Sequence, residues 1–175
     1  MNKKLIQIKQ KSDHSLCQQC TTRWCCSNKH FGPAPISQKE INNLIKQGYS
    51  DFYDLKDDCN ILKYKSNGYC CFYDQQKKTC LCYEHKPFDC NLFPYDFFTD
   101  TNNKEGIWIL WNCPYSKSLS KTTIEKDLSY FEQNFKHDLH KIWHHDNESI
   151  SNCNDKNLFV FLRKMKVDSP FDFFI

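Results

Sequence analysis

Residues 17–26 read Cys-Gln-Gln-Cys-Thr-Thr-Arg-Trp-Cys-Cys and bring four thiols into one short segment. A Cys-x-x-Cys turn aims two sulfurs at one point, which suits a tetrahedral metal ion. The adjacent Cys25 and Cys26 leave the backbone in different directions, so we expect them to serve different metals or a bridged, polynuclear centre. Two disulfides are the alternative for these four residues. In either case the segment predicts a domain organised around its sulfur atoms.

The whole chain is rich in cysteine, with 12 among 175 residues. Such a density indicates disulfides in a secreted protein and metal ligation in a cytosolic one. Residues 1–11 are basic, but their apolar patch at residues 5–8 is too short for the core of a signal peptide. We therefore expect a cytoplasmic, metal-binding protein. No apolar run approaches the roughly 20 residues of a membrane span, so we expect no membrane contact.

The charge balance argues against a nucleic-acid partner. The 24 Lys and Arg against 21 Asp and Glu give a net charge of +3 with neutral histidines. A dedicated nucleic-acid binder is usually far more basic. Only Arg23 and Arg163 are arginines, so the guanidinium forks that read bases and phosphates are scarce. We expect metal ions, rather than nucleic acid, as the partner.

One helix start is marked clearly in the sequence. Ser37 can cap the helix, and Glu40 stands three residues later as its capping-box partner. Ile36 and Ile41 provide the flanking apolar staple, and Gly48 is a natural stop. The pattern predicts a helix that begins after Ser37.

The other elements follow from apolar spacing. Residues 71–73 and 79–81 form a predicted hairpin, and residues 106–111 form a predicted buried strand. A helix over residues 122–145 is predicted from Ile124, Leu128, Phe131, Phe135, Leu139 and Ile142, which form one stripe.

A second, shorter helix is predicted over residues 157–166, followed by an apolar tail, residues 169–175, that packs back. The fold class is α+β. We expect a small, irregular, metal-organised, cysteine-rich domain with short strands over residues 14–116. A C-terminal helical extension, residues 117–175, packs on it.

A second group of thiols comprises Cys71, Cys80 and Cys90, with Cys113 as a fourth member. Residues 80–94 read Cys-Leu-Cys-Tyr-Glu-His-Lys-Pro-Phe-Asp-Cys-Asn-Leu-Phe-Pro. With the first cluster, this stretch resembles the YkgJ-like, CxxCxxCC-type zinc- or iron-chelating domain family. The pattern of that family includes Cys-x-Phe-Leu, then Cys-x-Ile-Tyr-Glu-x-Arg-Pro-x-x-Cys-Arg-x-Phe-Pro, and a late Cys-Pro.

The likeness covers about residues 14–116 and implies that cysteines hold a metal. The thiols that match the pattern are Cys17, Cys20, Cys25, Cys26, Cys71, Cys80, Cys90 and Cys113. Lys86 and Asn91 stand where the family usually has arginines, and Cys70 and Cys82 are extra to the pattern. Cys59 and Cys153 receive no assigned role.

Eight thiolates suit two four-coordinate sites, or one cluster and one ion. Zinc and iron–sulfur clusters both accept four sulfurs, so composition does not separate them. We favour an iron–sulfur cluster because crowded thiols suit a polynuclear centre, with zinc, or both, as the alternative. A non-cysteine ligand could come from His14, His30 or His85. His137, His140 and His144 share one helical face, which is either a further metal site or an exposed polar surface.

Three functions are compatible with this reading. The first is a metal-binding protein with a redox or metal-handling role. The second is an enzyme, either protein-modifying or an oxidoreductase, with one structural and one open metal site. The third is a zinc-stapled interaction module whose C-terminal helices dock a protein partner.

Overall fold

A computed structural model describes residues 18–21, 23–28, 32–56, 59–100, 105–135 and 158–166. The helices are α1 (Gln38–Lys46), α2 (Phe88–Leu92) and α3 (residues 121–135). The strands are β1 (Tyr53–Lys56), β2 (Cys59–Leu62), β3 (Tyr73–Asp74), β4 (Thr79–Cys80), β5 (Tyr95–Asp100), β6 (Glu105–Trp111) and β7 (Phe159–Lys166). These elements confirm the α+β fold class.

Helix α1 begins as its sequence predicts. The Glu40 amide donates to the Ser37 hydroxyl at 3.3 Å, and the Ser37 amide donates to the Glu40 carboxylate at 2.8 Å. This reciprocal pair is the predicted capping box. Ile36 and Ile41 are both buried in one core. After the helix, Gly48 adopts a φ of 88°, a left-handed conformation that favours glycine.

The first core lies under two antiparallel hairpins, β1–β2 and β3–β4. The predicted hairpin at residues 71–81 is confirmed as β3–β4, although each strand has only two residues. The buried members of this core are Ile36, Ile41, Leu44, Phe52, Leu62, Phe72 and Cys82. Several cysteines pack at its margin, so apolar packing and the sulfur-bearing loops share one interior.

The second core lies between a three-stranded antiparallel sheet, ordered β5-β6-β7, and helix α3. The predicted strand at residues 106–111 is confirmed as β6, and its Trp108 and Trp111 are 0% and 1% exposed. Leu128 and Phe131 of α3 are fully buried against the sheet. This confirms the helical stripe as far as residue 135. Leu139 and Ile142, like the histidines of that segment, lie outside the described residues.

The short helix predicted over residues 157–166 is wrong, because Phe159–Lys166 forms strand β7. It pairs with β6 from Phe159 opposite Trp111 to Lys166 opposite Glu105. The apolar positions fitted a helical stripe, but the run Phe159-Val160-Phe161 has high strand propensity. Pairing with β6 also satisfies backbone groups along a strand edge. The tail at residues 169–175 lies outside the described residues, and the division at residue 116 stays a prediction.

Among the described helices, none is both long enough and apolar enough to cross a membrane.

Candidate metal centre

A cavity of about 120 Å³ opens between residues 20–26, the β3–β4 hairpin and helix α2. Eight cysteines line it: Cys20, Cys25, Cys26, Cys70, Cys80, Cys82, Cys90 and Cys113. We call this space the sulfur cavity. Since roughly 10–15 Å³ suffices for one water molecule, the sulfur cavity has room for several non-hydrogen atoms.

The sulfurs reach this cavity from separate elements. Cys25 and Cys26 lie in a 3-10 turn, Trp24–Cys26, and Cys80 ends strand β4. Cys90 lies in helix α2, and Cys113 follows strand β6. The fold therefore gathers thiols that are distant in sequence, as a metal-organised domain requires.

Two pairs of sulfurs are already at the spacing of metal ligands. The Sγ atoms of Cys25 and Cys26 are 3.9 Å apart, and those of Cys80 and Cys82 are 3.6 Å apart. Two thiolates bound at 2.3 Å to one tetrahedral ion would be about 3.8 Å apart. Within the described ranges, no three His, Cys, Asp or Glu side chains are close enough to hold an ion in their present positions.

Hydrogen bonds between thiols make one sulfur of each pair the readier thiolate. The bond to Cys26 lowers the pKa of Cys25, and the charges of Lys86 and Arg23 lower it further. The bond to Cys82 likewise lowers the pKa of Cys80. Their partners shift the other way, because the same bonds and burial raise the pKa of Cys26 and of Cys82. Since metals bind thiolates, Cys25 and Cys80 are the members of the two pairs that ligate more readily.

Three basic side chains, Arg23, Lys78 and Lys86, line the sulfur cavity, and none of its described lining residues is acidic. Lys86 lies 4.4 Å from the centroid of the Tyr83 ring, and Arg23 lies 5.9 Å from that of Tyr73. Cations around a thiolate site offset its negative charge. Four lysines lie near the cysteine clusters in sequence and could supply such charge. Of these, Lys78 and Lys86 line the cavity. Lys77 is exposed and does not line it, and Lys29 lies outside the described residues.

Six of the eight predicted ligands line the cavity: Cys20, Cys25, Cys26, Cys80, Cys90 and Cys113. Cys17 lies outside the described residues, as do His14 and His30. His85 is described but does not line the cavity. Cys25 and Cys26 are both present as thiols, so the structure does not adopt the disulfide alternative at these two residues.

Cys71 is placed apart from the six, and its neighbour Cys70 lines the cavity instead. The Cys71 thiol donates to the Phe52 carbonyl oxygen at 3.5 Å, towards the first core. The Cys70 amide donates to the Cys26 carbonyl at 3.0 Å, which fixes Cys70 beside the first cluster. The family motif Cys-x-Phe-Leu also fits this placement, because its cysteine falls on Cys70 when its Phe falls on Phe72.

Glu40 has a second contact that the capping box did not reveal. Its Oε1 accepts a hydrogen bond from the Phe88 amide at 2.6 Å, at the first residue of α2. One carboxylate therefore holds the starts of α1 and of α2, the helix that carries Cys90. The contact joins residues 48 positions apart, so no local pattern could have indicated it.

Asn91 replaces the arginine of the family pattern and takes a local role. Its side-chain amide donates to the carbonyls of Lys86 and Pro87, at 2.8 and 3.1 Å. These bonds close the loop that leads into α2. The residue thus stabilises the backbone around Cys90 rather than supplying a charge.

The sequence of residues 16–114 matches the family described as "CxxCxxCC: Putative zinc- or iron-chelating domain". No curated protein and no solved structure matches the chain. The family match includes all the cysteines around the sulfur cavity and more than half of the chain. The arrangement of those cysteines around one space is what a chelating domain needs. The chain belongs to the CxxCxxCC family and carries its zinc- or iron-chelating domain.

Proposed function

We propose that the protein holds an iron–sulfur cluster, a zinc ion or both in the sulfur cavity, and that it has a redox or metal-handling role. The observation that carries this proposal is the convergence of eight cysteines and three cations on one cavity. One structural zinc needs only four thiolates. The surplus of sulfur supports a polynuclear centre or a second metal.

The proposed ligands include the six predicted cysteines that line the cavity, with Cys70 taking the role expected of Cys71. Cys17 stays a predicted ligand, because it stands three residues before Cys20 in the Cys-x-x-Cys turn. When iron or zinc is bound, it neutralises thiolate charge, and iron in a sulfide cluster also accepts or donates an electron. Arg23, Lys78 and Lys86 would offset the remaining negative charge.

Metal analysis of anaerobically purified protein tests the proposal. We expect a brown protein that contains iron and acid-labile sulfide. A colourless protein with stoichiometric zinc would support the zinc alternative and a stapling role. A folded protein that is free of both metals after anaerobic purification would overturn the proposal.

Cys70 and Cys71 form a matched pair for testing the ligand set. Because only Cys70 lines the cavity, Cys70→Ser should lower the metal content per chain, whereas Cys71→Ser should leave it unchanged. Cys59→Ser is the control outside the cavity, since its thiol donates to the Asn60 carbonyl on β2. The reverse result, with loss only in Cys71→Ser, would contradict the assignment of Cys70.

A further inference from the structure

We propose that Cys82 is an additional metal ligand, which chelates one metal atom together with Cys80. The family pattern has an isoleucine at this position, so the pattern does not account for a thiol there. The inference rests on the proposed function, because it assigns one more residue to the same cavity. Two observations carry it: the distance between the two sulfurs and the direction of their side chains.

The distance fits ligation of a single atom. The two Sγ atoms are 3.6 Å apart, close to the roughly 3.8 Å edge of a tetrahedral thiolate site. The pair is therefore arranged like two ligands of one zinc or one iron.

The local backbone produces this convergence. Side chains alternate along a strand, and the chain turns immediately after β4. Leu81 is consequently 51% exposed, whereas Cys80 and Cys82 both face the cavity. The turn is fixed by the Leu81 amide, which donates to Phe72, and by the His85 amide, which donates to Cys82. The backbone thus directs both side chains towards the cavity.

A core-filling role is the competing explanation for Cys82. Its side chain is 2% exposed and belongs to the first core, where an apolar residue would pack equally well. A filler, however, needs no second sulfur at ligand spacing and no place in the wall of a cavity beside Lys86. These features favour ligation over filling.

The variant Cys82→Ile distinguishes metal ligation from core filling. It restores the isoleucine of the family pattern and keeps an apolar side chain in the core. Metal and acid-labile sulfide per chain would be measured after anaerobic purification. Where the wild type holds zinc or a single iron, cobalt(II) would also replace the native metal, so that thiolate-to-cobalt absorption reports the number of sulfur ligands. If Cys82 is a ligand, Cys82→Ile should lose metal, or retain it with the absorption of one fewer thiolate. If it only fills space, both readouts should match the wild type, and the proposal is overturned.

Three controls make the result unambiguous. Cys80→Ser should lose metal, and Cys59→Ser should not. Cys82→Ser keeps the volume of the side chain, so it covers the case in which Cys82→Ile fails to fold, as judged by near-ultraviolet circular dichroism. A wild-type protein without metal would refute the proposed function, whereas a metal-loaded wild type with unaffected Cys82 variants would refute only this inference.

Discussion

The two cores of the molecule are built by different means. The sheet core has a central seven-residue strand, β6, and a helix whose Leu128 and Phe131 are 0% exposed. The cysteine-bearing part has strands of two to four residues and an interior that opens onto the sulfur cavity. Apolar burial is sufficient to stabilise the sheet core. The cysteine-bearing core has thiols packed at its margin and beside the sulfur cavity, so we expect it to depend on bound metal.

The two regions are joined at strand β6 and at helix α2, whose Leu92 lies in the sheet core and whose Cys90 lines the sulfur cavity. Strand β6 ends at Trp111, and Cys113 follows two residues later in the wall of the sulfur cavity. The end of the sheet thus supplies one sulfur, while the others come from short hairpins, loops and helix α2. Four changes test whether the two regions respond independently.

Metal removal should have the largest effect. Structural zinc in small domains contributes about 10–16 kcal/mol, which is comparable to the whole stability of a domain. After anaerobic chelation we expect amide hydrogen exchange to accelerate strongly in α1 and in the β3–β4 hairpin, and much less in β6. Equal protection before and after chelation would show that the cysteine-bearing part does not depend on metal.

Phe131→Ala should destabilise the sheet core and leave the metal site unchanged. The ring is fully buried and stacks on Trp108 at 5.9 Å between centroids. Its removal should lower the free energy of unfolding by about 3–5 kcal/mol, measured by denaturant titration, with the metal content of the folded protein unchanged. Phe161→Ala is the control, because Phe161 is 67% exposed and its loss should change stability by less than about 0.5 kcal/mol. A loss of metal in Phe131→Ala would show that the two regions are not separable.

Glu40→Gln should have an intermediate effect that reaches the metal site. The change weakens the capping box and the contact with the Phe88 amide, so we expect a loss of about 1–2 kcal/mol and faster release of metal to a chelator. Ser37→Ala is the matched control, because it removes the hydroxyl cap and leaves the contact with Phe88 in place. It should cost about 1 kcal/mol without faster release. Equal release rates in the two variants would argue against a role for Glu40 in positioning Cys90.

Arg163→Met should have the smallest effect. The guanidinium bonds Glu132 at 2.6 Å and Glu125 at 2.7 Å, tying β7 to α3. Because the pairs are partly exposed, we expect a loss of about 1 kcal/mol that shrinks in high salt. Denaturant titration at two salt concentrations measures it. A loss that is independent of salt would point to packing of the alkyl chain instead.

What could be predicted from the sequence was local. The start of α1 was encoded by Ser37 and Glu40, three residues apart, and the strand at β6 by one apolar run. Strand β7 was missed because its pairing partner is about 50 residues away, and a helical spacing was equally visible. The sequence could not show that Cys70, rather than Cys71, lines the cavity, because adjacent side chains leave the backbone in different directions, and the ligand role of Cys71 stays a prediction. Cysteine density predicted metal ligation with two sites, or one cluster and one ion, whereas only the tertiary structure shows that thiols of both groups line a single cavity.

The shared carboxylate of Glu40 makes the order of one helix depend on the position of another. A displacement of Cys90 large enough to separate the Phe88 amide from Oε1 would also disturb the group that caps α1. Helix α1 and the sulfur on α2 should therefore become ordered together when the protein matures. Exchange rates at the amino end of α1 would then report the loading of a cavity that no residue of the helix lines.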